Sequence, residues 1–284
     1  MSSIRLINQI FWFSIVINPN FVQAVTESQY AAAINIAGRQ RMLTQKMAKE
    51  SLFMKLNISK EQNQQNRDKS IQLFEFSLNK LISGFVPMNL PKPPNNSIVQ
   101  KLNVVKGLWP GYKKAITGTS ASLISKLSNP ILQQMDQAVK AYETAFFKAG
   151  FKGSGKNINI AGRQRMLTQR MAKELLLIAV KIDVEKNKGL LKKSIDLFEL
   201  SLSALMNGDK NLSIEKTSSP EIIKQLQLVK GKWVDYQKVL VVGSGDKVSQ
   251  EALVKLDEQS PQILFEMNKA VGMYQDEVDK NKKS

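Results

Sequence analysis

The sequence contains neither cysteine nor histidine among its 284 residues. Without cysteine, no disulfide holds the fold together and no thiol can act as a nucleophile or a metal ligand. Without histidine, the usual general base and the commonest metal ligand are missing. No Gly-rich nucleotide motif or Ser/Lys catalytic pattern stands out either. We therefore expect no enzymatic activity, no metal site and no cofactor.

Acidic residues are scarce relative to basic ones, with 24 Asp and Glu against 41 Lys and Arg and a net charge of +17. Such a surplus attracts anions, phosphate-rich surfaces or acidic polymers of the cell envelope. Aromatic residues make up only 7% of the chain, and the basic residues are dispersed through helical patterns without an aromatic platform. We therefore expect no nucleic-acid partner.

Long hydrophobic runs are also absent. The longest near the N-terminus, from Ile10 to Ile17, is about half the roughly 20 residues that a spanning helix needs. Arg5 precedes it and Val22-Gln23-Ala24 follows it, which is typical of a secretory signal peptide over residues 1–24. An uncleaved membrane anchor is the alternative. We expect cleavage near Ala24 and a soluble periplasmic or secreted product.

The chain is built twice. NIAGRQRMLTQKMAKE (residues 35–50) returns as NIAGRQRMLTQRMAKE (residues 159–174), with one difference, Lys46 against Arg170. A shift of about 124 residues also aligns SIQLFEFSLNKLISG from Ser70 with SIDLFELSLSALMNG from Ser194, and VKGLWPGYKK from Val105 with VKGKWVDYQK from Val229. The register then slips before Met135 and Tyr142 match Met267 and Tyr274. Each copy is therefore one repeated unit.

Four helical patterns recur in each copy. Apolar residues at three- and four-residue spacing mark them, and no segment has the alternation of a strand. The sequence predicts an all-α protein made of two tandem antiparallel four-helix bundles, over residues 25–150 and 151–284. The glycine-rich segment AGFKGSGK, residues 149–156, is the expected hinge or linker.

Several helix boundaries can be predicted from single residues. The first helices are expected at about residues 27–57 and 157–181. Ser59 and Asp183 are placed to cap the second helices with side-chain oxygens, and Gly84 and Gly208 to end them. Proline in a first turn predicts that the fourth helices open at Asn129-Pro130 and Ser260-Pro261, while Pro110 should end or kink the third. The aromatic pairs, expected in the core or along a groove, are Trp109 with Tyr112 and Trp233 with Tyr236.

The repeated sixteen residues place a small, polar stripe around one arginine. At 100° per residue, the neighbours within about 60° of Arg41 are Ala37, Gly38, Thr44, Gln45 and Ala48, and those of Arg165 are Ala161, Gly162, Thr168, Gln169 and Ala172. Small residues allow helices to approach closely, and a guanidinium is a planar fork of donors suited to oxyanions. If the stripes face each other, two arginines about 7 Å apart repel by roughly 2 kcal/mol, which a bound monoanion would offset.

A second reading of the arginines stays open. Each could pair with a carboxylate or with helix-terminal carbonyls inside its own bundle. Neither stripe contains an acidic residue, so such a partner has to come from another helix that the sequence does not place.

The motif N-I-A-G-R-Q-R-M-L-T-Q-[KR]-M-A-K-E resembles the signature of the N-terminal sensor domain of type IV pilus methyl-accepting chemotaxis transducers (PilJ type). That domain is related to the periplasmic sensor of NarX-type nitrate/nitrite kinases, and the resemblance covers both copies. In the kinase branch, nitrate binds between equivalent first helices of a dimer, held by one arginine from each subunit near a glycine. The resemblance implies Arg41 and Arg165 as ligands of a small anion, with Gly38 and Gly162 allowing close approach.

The remaining expectations concern further ligand residues, the anion and the partner. Thr44, Thr168, Gln45 and Gln169 are secondary ligand candidates, and one chain or a homodimer would supply both halves of the site. Arg39-Gln40 and Arg163-Gln164 depart from the A-G-S-L-R-M of the kinase branch, so the resemblance does not settle which anion binds. The sequence ends at Ser284 without an output region, so we expect a membrane receptor or a pilus or chemotaxis component as partner. A ligand-independent structural or interaction protein of the envelope is the alternative.

Overall fold

The computed structural model describes residues 24–152, 154–243, 245 and 247–281. The predicted signal peptide lies outside these residues, apart from Ala24. Within the described residues, eight α-helices follow one another, and a short 3-10 turn at Val86–Met88 lies between the second and third. The α-helices are α1 Glu27–Lys55, α2 Lys60–Ser83, α3 Asn96–Thr117, α4 Ala121–Lys148, α5 Ser154–Ala179, α6 Val184–Asn207, α7 Pro220–Gly243 and α8 Gln250–Asn281.

The predicted all-α class is confirmed: the described residues contain two isolated β-bridges but no strand. Helices α1–α4 form one four-helix bundle and α5–α8 form the other. In the first bundle α1 packs against α2 and α4, and in the second α5 packs against α6 and α8. No helix in the described part of the chain is long and apolar enough to cross a membrane.

The two bundles share one continuous core, because α1 and α5 pack against each other more extensively than any other pair of helices. The segment between the bundles is packed as well. The ring of Phe151 lies 6.0 Å from that of Tyr30 and 5.4 Å from that of Phe146. Gly155 is so close to Phe146 that a Cβ there would lie 2.8 Å from the ring.

The predicted starts of the fourth helices are wrong. Helix α4 begins at Ala121 and α8 at Gln250, so Pro130 and Pro261 lie inside them. Helix α3 likewise continues through Pro110 to Thr117 instead of ending there. All three prolines are on exposed faces, where water can satisfy the carbonyl that loses its helical donor.

The predicted side-chain caps are also wrong, although the helix boundaries are close. Ser59 and Asp183 occupy the N-cap positions of α2 and α6 without a capping hydrogen bond. Their φ angles are 38° and 45°, whereas a capping residue needs extended backbone. Gly84 and Gly208, both with φ of 78°, do end these helices as predicted.

The two aromatic pairs lie in the core, as the sequence predicts. Tyr112 and Tyr236 are buried, and their hydroxyls donate to the carbonyls of Thr44 and Thr168. The indoles of Trp109 and Trp233 donate to Glu75 and Glu199. The tyrosine contacts hold α3 against α1 and α7 against α5 at the level of the arginine stripes, and the indole contacts hold α3 against α2 and α7 against α6.

Candidate functional site

The two arginine stripes are buried and face each other inside one chain. Helix α8 runs antiparallel to α1, because Ser28, Asn35 and Lys49 of α1 hydrogen-bond to Asp279, Gln275 and Ser260 of α8, in that order. It also runs antiparallel to α5, whose Arg165 and Gln169 meet Asn268 and the carbonyl of Ser260. Helices α1 and α5 are therefore parallel, with Arg41 and Arg165 at the same level.

The guanidinium groups of Arg41 and Arg165 converge beside the two glycines. A Cβ on Gly38 would lie 3.5 Å from Nη2 of each arginine. A Cβ on Gly162 would lie 3.4 Å from Nη2 of Arg165 and 3.6 Å from Nη2 of Arg41. The structure thus brings together the four residues on which the predicted site depends, and the glycines keep the space beside both cations free of side chains.

Each arginine reaches across to the other copy. Nη2 of Arg41 donates to the carbonyl and to the side-chain oxygen of Asn159, at 3.2 and 2.8 Å. Nη2 of Arg165 donates to the carbonyl of Asn35 at 3.2 Å. Asn159 lies six positions before Arg165, the counterpart of Arg41, and Asn35 lies six positions before Arg41. Side chains on a helix lean toward its N-terminus, which explains this offset between the two parallel helices.

Their partners within the copy differ. Nη1 of Arg41 forms a salt bridge of 2.7 Å with Asp136 of α4, whereas Nη1 of Arg165 is 3.5 Å from the side-chain oxygen of the neutral Asn268 of α8. The reading in which an arginine pairs with a carboxylate of its own bundle therefore describes Arg41 and not Arg165. Both arginines keep a buried Nε without a hydrogen-bond partner.

The electrostatics follow these contacts. Burial lowers the pKa of the Arg165 guanidinium, and the positive charges of Arg39 and Arg41 lower it further. Burial also lowers the pKa of Arg41, but there the attraction of Asp136 opposes the shift. Burial alone would raise the pKa of Asp136, yet Arg41 and Lys140 hold it below its usual value. Of the two cations, Arg165 is the one without a compensating carboxylate.

The threonines and glutamines of the stripes already use their donor groups elsewhere. Thr44 and Thr168 donate to the carbonyls of Arg41 and Arg165, at 2.8 and 2.9 Å. The amide nitrogen of Gln45 donates to Thr44, and that of Gln169 donates to Thr168 and to the carbonyl of Ser260. These side chains hold the helices in place around the arginines, which leaves the guanidinium groups as the donors with capacity to spare.

A cleft of about 520 Å³ leads from the surface to Arg165. It lies between α1, α2 and α8, and Arg39, Lys46 and Lys69 are among the residues that line it. Arg39 is a residue of the candidate site that the helical projection missed, because it lies on the far side of α1 from Arg41 and yet lines the same cleft as Arg165. Asp136, Asn268 and the two asparagines of the motif were missed too. The aligned copies differ here, with Asp136 in the first and Asn268 in the second. This difference is the sequence signal that indicates unequal partners for the two arginines.

Comparisons with known proteins agree with the repeat and with the motif. The model of the family described as "Type IV pili methyl-accepting chemotaxis transducer N-term" (PilJ) matches residues 25–142 and 149–258. The methyl-accepting chemotaxis protein McpN of Pseudomonas aeruginosa is 32% identical over 130 residues, which are 44% of this chain and 23% of the length of McpN. The solved ligand-binding domain of the P. aeruginosa nitrate receptor McpN is 29% identical, covers 43% of this chain and 95% of that domain, and superposes with a TM-score of 0.38.

Proposed function

Because the chain belongs to the PilJ family of type IV pilus methyl-accepting chemotaxis transducer N-terminal domains, we propose that it is a periplasmic sensor protein that binds a small oxyanion of the nitrate or nitrite class. The ligand site lies between α1 and α5, where Arg41 and Arg165 converge beside Gly38 and Gly162. The two copies act as the two halves of a dimer built into one chain.

One observation carries this proposal: two buried guanidinium groups meet in a small-residue interface where the described residues include one carboxylate partner for them, Asp136. Arg41 is fully buried and Arg165 is 3% exposed. An unpaired buried cation is costly, and an anion that reaches it replaces lost solvation with charge-assisted hydrogen bonds. The planar fork of an arginine matches the edge of a trigonal oxyanion, and each Nε is still available to donate.

The sequence relationship to McpN supports the ligand class. The solved domain of that protein is described as that of a nitrate receptor, and 32% identity relates this chain to McpN over a segment of about one copy. Nitrate is therefore the first anion to test, with nitrite beside it. The aligned segment spans less than a quarter of McpN, so the signalling partner of this chain does not follow from that protein. We include in the proposal a partner that receives the signal, either a membrane receptor or a pilus or chemotaxis component.

Thermal unfolding of the purified protein tests the proposal. Nitrate, nitrite, sulfate, phosphate, acetate and chloride are compared at matched ionic strength, because salt alone screens the +17 charge. A ligand that binds only the folded state adds about 2.7 kcal/mol to the free energy of unfolding at 100 times its dissociation constant. We expect nitrate or nitrite to raise the Tm by several degrees and the other anions to have much smaller effects.

Two variants and one control test whether the selective rise in Tm depends on the two arginines. Arg165→Ala and Arg41→Ala should each remove the selective shift. Lys238→Ala, which takes one positive charge from an exposed position on α7, should keep it. Equal shifts with every anion would instead indicate attraction to acidic surfaces through charge alone. Absence of any shift, with arginine variants as stable as the parent, would leave a ligand-independent interaction protein.

A further inference from the structure

We infer that the two halves of the site are not equivalent: Arg165 is the half that binds the anion, from the cleft between α1, α2 and α8, while Asp136 occupies the corresponding place beside Arg41 as an internal carboxylate. One monoanion binds per chain. This inference rests on the proposed function and specifies which copy performs it.

The first support is the exchange of charge between the copies. Met135 matches Met267 and Tyr142 matches Tyr274, so Asp136 corresponds to Asn268 and Glu143 to Gln275. In the first copy Asp136 pairs with Arg41, and Glu143 accepts from the side chain of Asn159 at 2.6 Å. In the second copy both carboxylates are replaced by amides of the same shape. The pairing with Asn159 is matched by that of Asn35 with Gln275 at 2.6 Å, whereas the arginine contact lengthens from 2.7 Å to 3.5 Å. Two negative charges are thereby removed from one side of the site.

The second support is access. Residues that line the cleft at Arg165 include Arg39, Lys46, Asn268 and Gly272, and no described residue in its lining is acidic. An anion entering this cleft therefore meets only neutral and basic side chains before it reaches Arg165. Positive walls around a low-dielectric pocket concentrate anions and speed their association.

The corresponding cleft on the other side differs in the same respects. It lies between α4, α5 and α6 with a volume of about 400 Å³, and its lining contains Asp136, Lys140 and Arg163 but not Arg41. Lys140 stands where the second copy has Gly272, and its ammonium lies 2.9 Å from Asp136. Asp136 is thus held between Arg41 and Lys140 and separates Arg41 from the cleft. A second anion entering there would meet a carboxylate.

The charge balance sets the stoichiometry. Arg41 has Asp136 as its salt-bridge partner, whereas Arg165 has no carboxylate partner among the described residues, so the charge of Arg165 is the one left uncompensated. A single monoanion compensates that charge, whereas a dianion would leave one negative charge buried. Trigonal monoanions such as nitrate and nitrite are therefore favoured over sulfate at this half of the site.

Calorimetric titration with sodium nitrate tests the inference through two reciprocal exchanges. Asn268→Asp gives Arg165 the internal carboxylate that Arg41 already has, and we expect the nitrate affinity to fall at least tenfold. Asp136→Asn removes the internal carboxylate, and we expect the affinity to rise at least threefold or a second nitrate to bind. Without nitrate, the Tm should not fall in Asn268→Asp, because the same side chain is accommodated at position 136.

A further variant tests the same inference independently, in case Asn268→Asp does not fold. Gly272→Leu narrows the cleft at Arg165 with a neutral side chain, and it should weaken nitrate binding, whereas Gly189→Ala on the open surface of α6 should not. An unchanged affinity in Asn268→Asp, or a weaker one in Asp136→Asn, would overturn the inference while the parent still binds nitrate. If the parent binds neither nitrate nor nitrite, it is the proposed function that fails.

Discussion

At the scale of single residues, the proposed anion site depends on two glycines as much as on the two arginines. Gly38 and Gly162 lie in helix interiors, where glycine costs about 1 kcal/mol relative to alanine. Within the described part of the chain, the neighbours from outside the helix's own backbone that an added Cβ would meet within 4 Å are the guanidinium nitrogens of Arg41 and Arg165, at 3.4 to 3.6 Å. A methyl group fits there without steric conflict but takes up space that an anion between the cations needs.

Replacing Gly162 by alanine should therefore separate stability from binding. We expect Gly162→Ala to unfold at the same or a slightly higher urea concentration than the parent, and to bind nitrate at least tenfold more weakly. Gly189→Ala is the matched control, because its Cβ meets nothing within 4 Å. Equal nitrate affinities in the two variants would mean that the anion does not occupy the space beside the glycines.

The residue pattern predicted which residues meet at the centre of the candidate site but not which residues surround them. Arg41, Arg165 and the glycines repeat within a sixteen-residue motif, so helical geometry alone places them on one face. Asp136 lies 95 residues from Arg41 along the chain, and its contact depends on how α4 packs on α1. Arg39 points away from the stripe on α1, yet it lines the cleft at Arg165 together with residues of α2 and α8. Such contacts depend on tertiary packing, which a helical projection does not contain.

At the scale of helices, α1 and α5 carry a second pair of buried cations beyond the arginines. The ammonium groups of Lys49 and Lys173 donate to the hydroxyls of Ser260 and Ser128, each on the fourth helix of the other copy, at 2.8 and 3.3 Å. Burial lowers the pKa of both lysines to about 8, although Glu50 and Glu174 oppose the shift. The neighbouring cations lower it further; they are Lys46 for Lys49, and Arg170 and Lys186 for Lys173.

The lowered pKa values of these two lysines predict that the stability of the fold increases with pH above about pH 8. Unfolded lysine keeps its proton up to about pH 10.4, whereas the folded chain releases it near pH 8. Between these values the unfolded state binds more protons, so the free energy of unfolding rises with pH, by up to about 1.4 kcal/mol per unit for each lysine. Below about pH 8 both states are protonated and this contribution is constant.

Urea unfolding at about pH 7.5, 8.5 and 9.5 measures the effect below the range where unfolded tyrosine ionises. The double variant Lys49→Met and Lys173→Met should lose most of the rise in the unfolding midpoint that the parent shows. Lys238→Met, at an exposed position, should keep that rise. A parent and double variant with parallel pH profiles would show that these lysines do not titrate in the folded protein near pH 8.

The helix pattern was easier to predict than the helix starts. Apolar spacing identified four helices in each copy, because their buried faces repeat every three to four residues. Proline is a misleading sign for the starts of α4 and α8, because the exposed faces of these helices tolerate Pro130 and Pro261 in the helix interior. The apolar residues before the prolines indicate the actual starts: Ala121 and Ile124 are buried in α4, and Leu253 and Leu256 are buried in α8.

At the scale of the whole molecule, the central packing of α1 on α5 joins two bundles into one core. Ala31, Ile34 and Ala48 of α1, and Ile158 and Ala172 of α5, have no exposed surface. Separating the copies would expose these side chains together with the buried arginines and lysines. Neither copy should therefore unfold while the other stays folded.

Tryptophan fluorescence can follow each copy separately in a chain beginning at Val25, where Trp109 reports on the first copy and Trp233 on the second. We expect Trp233→Phe, which leaves only Trp109, and Trp109→Phe, which leaves only Trp233, to be equally destabilised. In each, fluorescence and far-ultraviolet circular dichroism should give the same urea midpoint. Two separated transitions would indicate copies that fold independently.

Titration of sodium nitrate into the purified protein, beside its Arg165→Lys variant, tests the central claim most directly. The variant keeps the charge but loses the planar fork of donors. We predict saturable binding of one nitrate per chain and an affinity at least tenfold weaker in Arg165→Lys. Heats of dilution alone in the parent, or equal affinities in the two proteins, would contradict an anion site at Arg165.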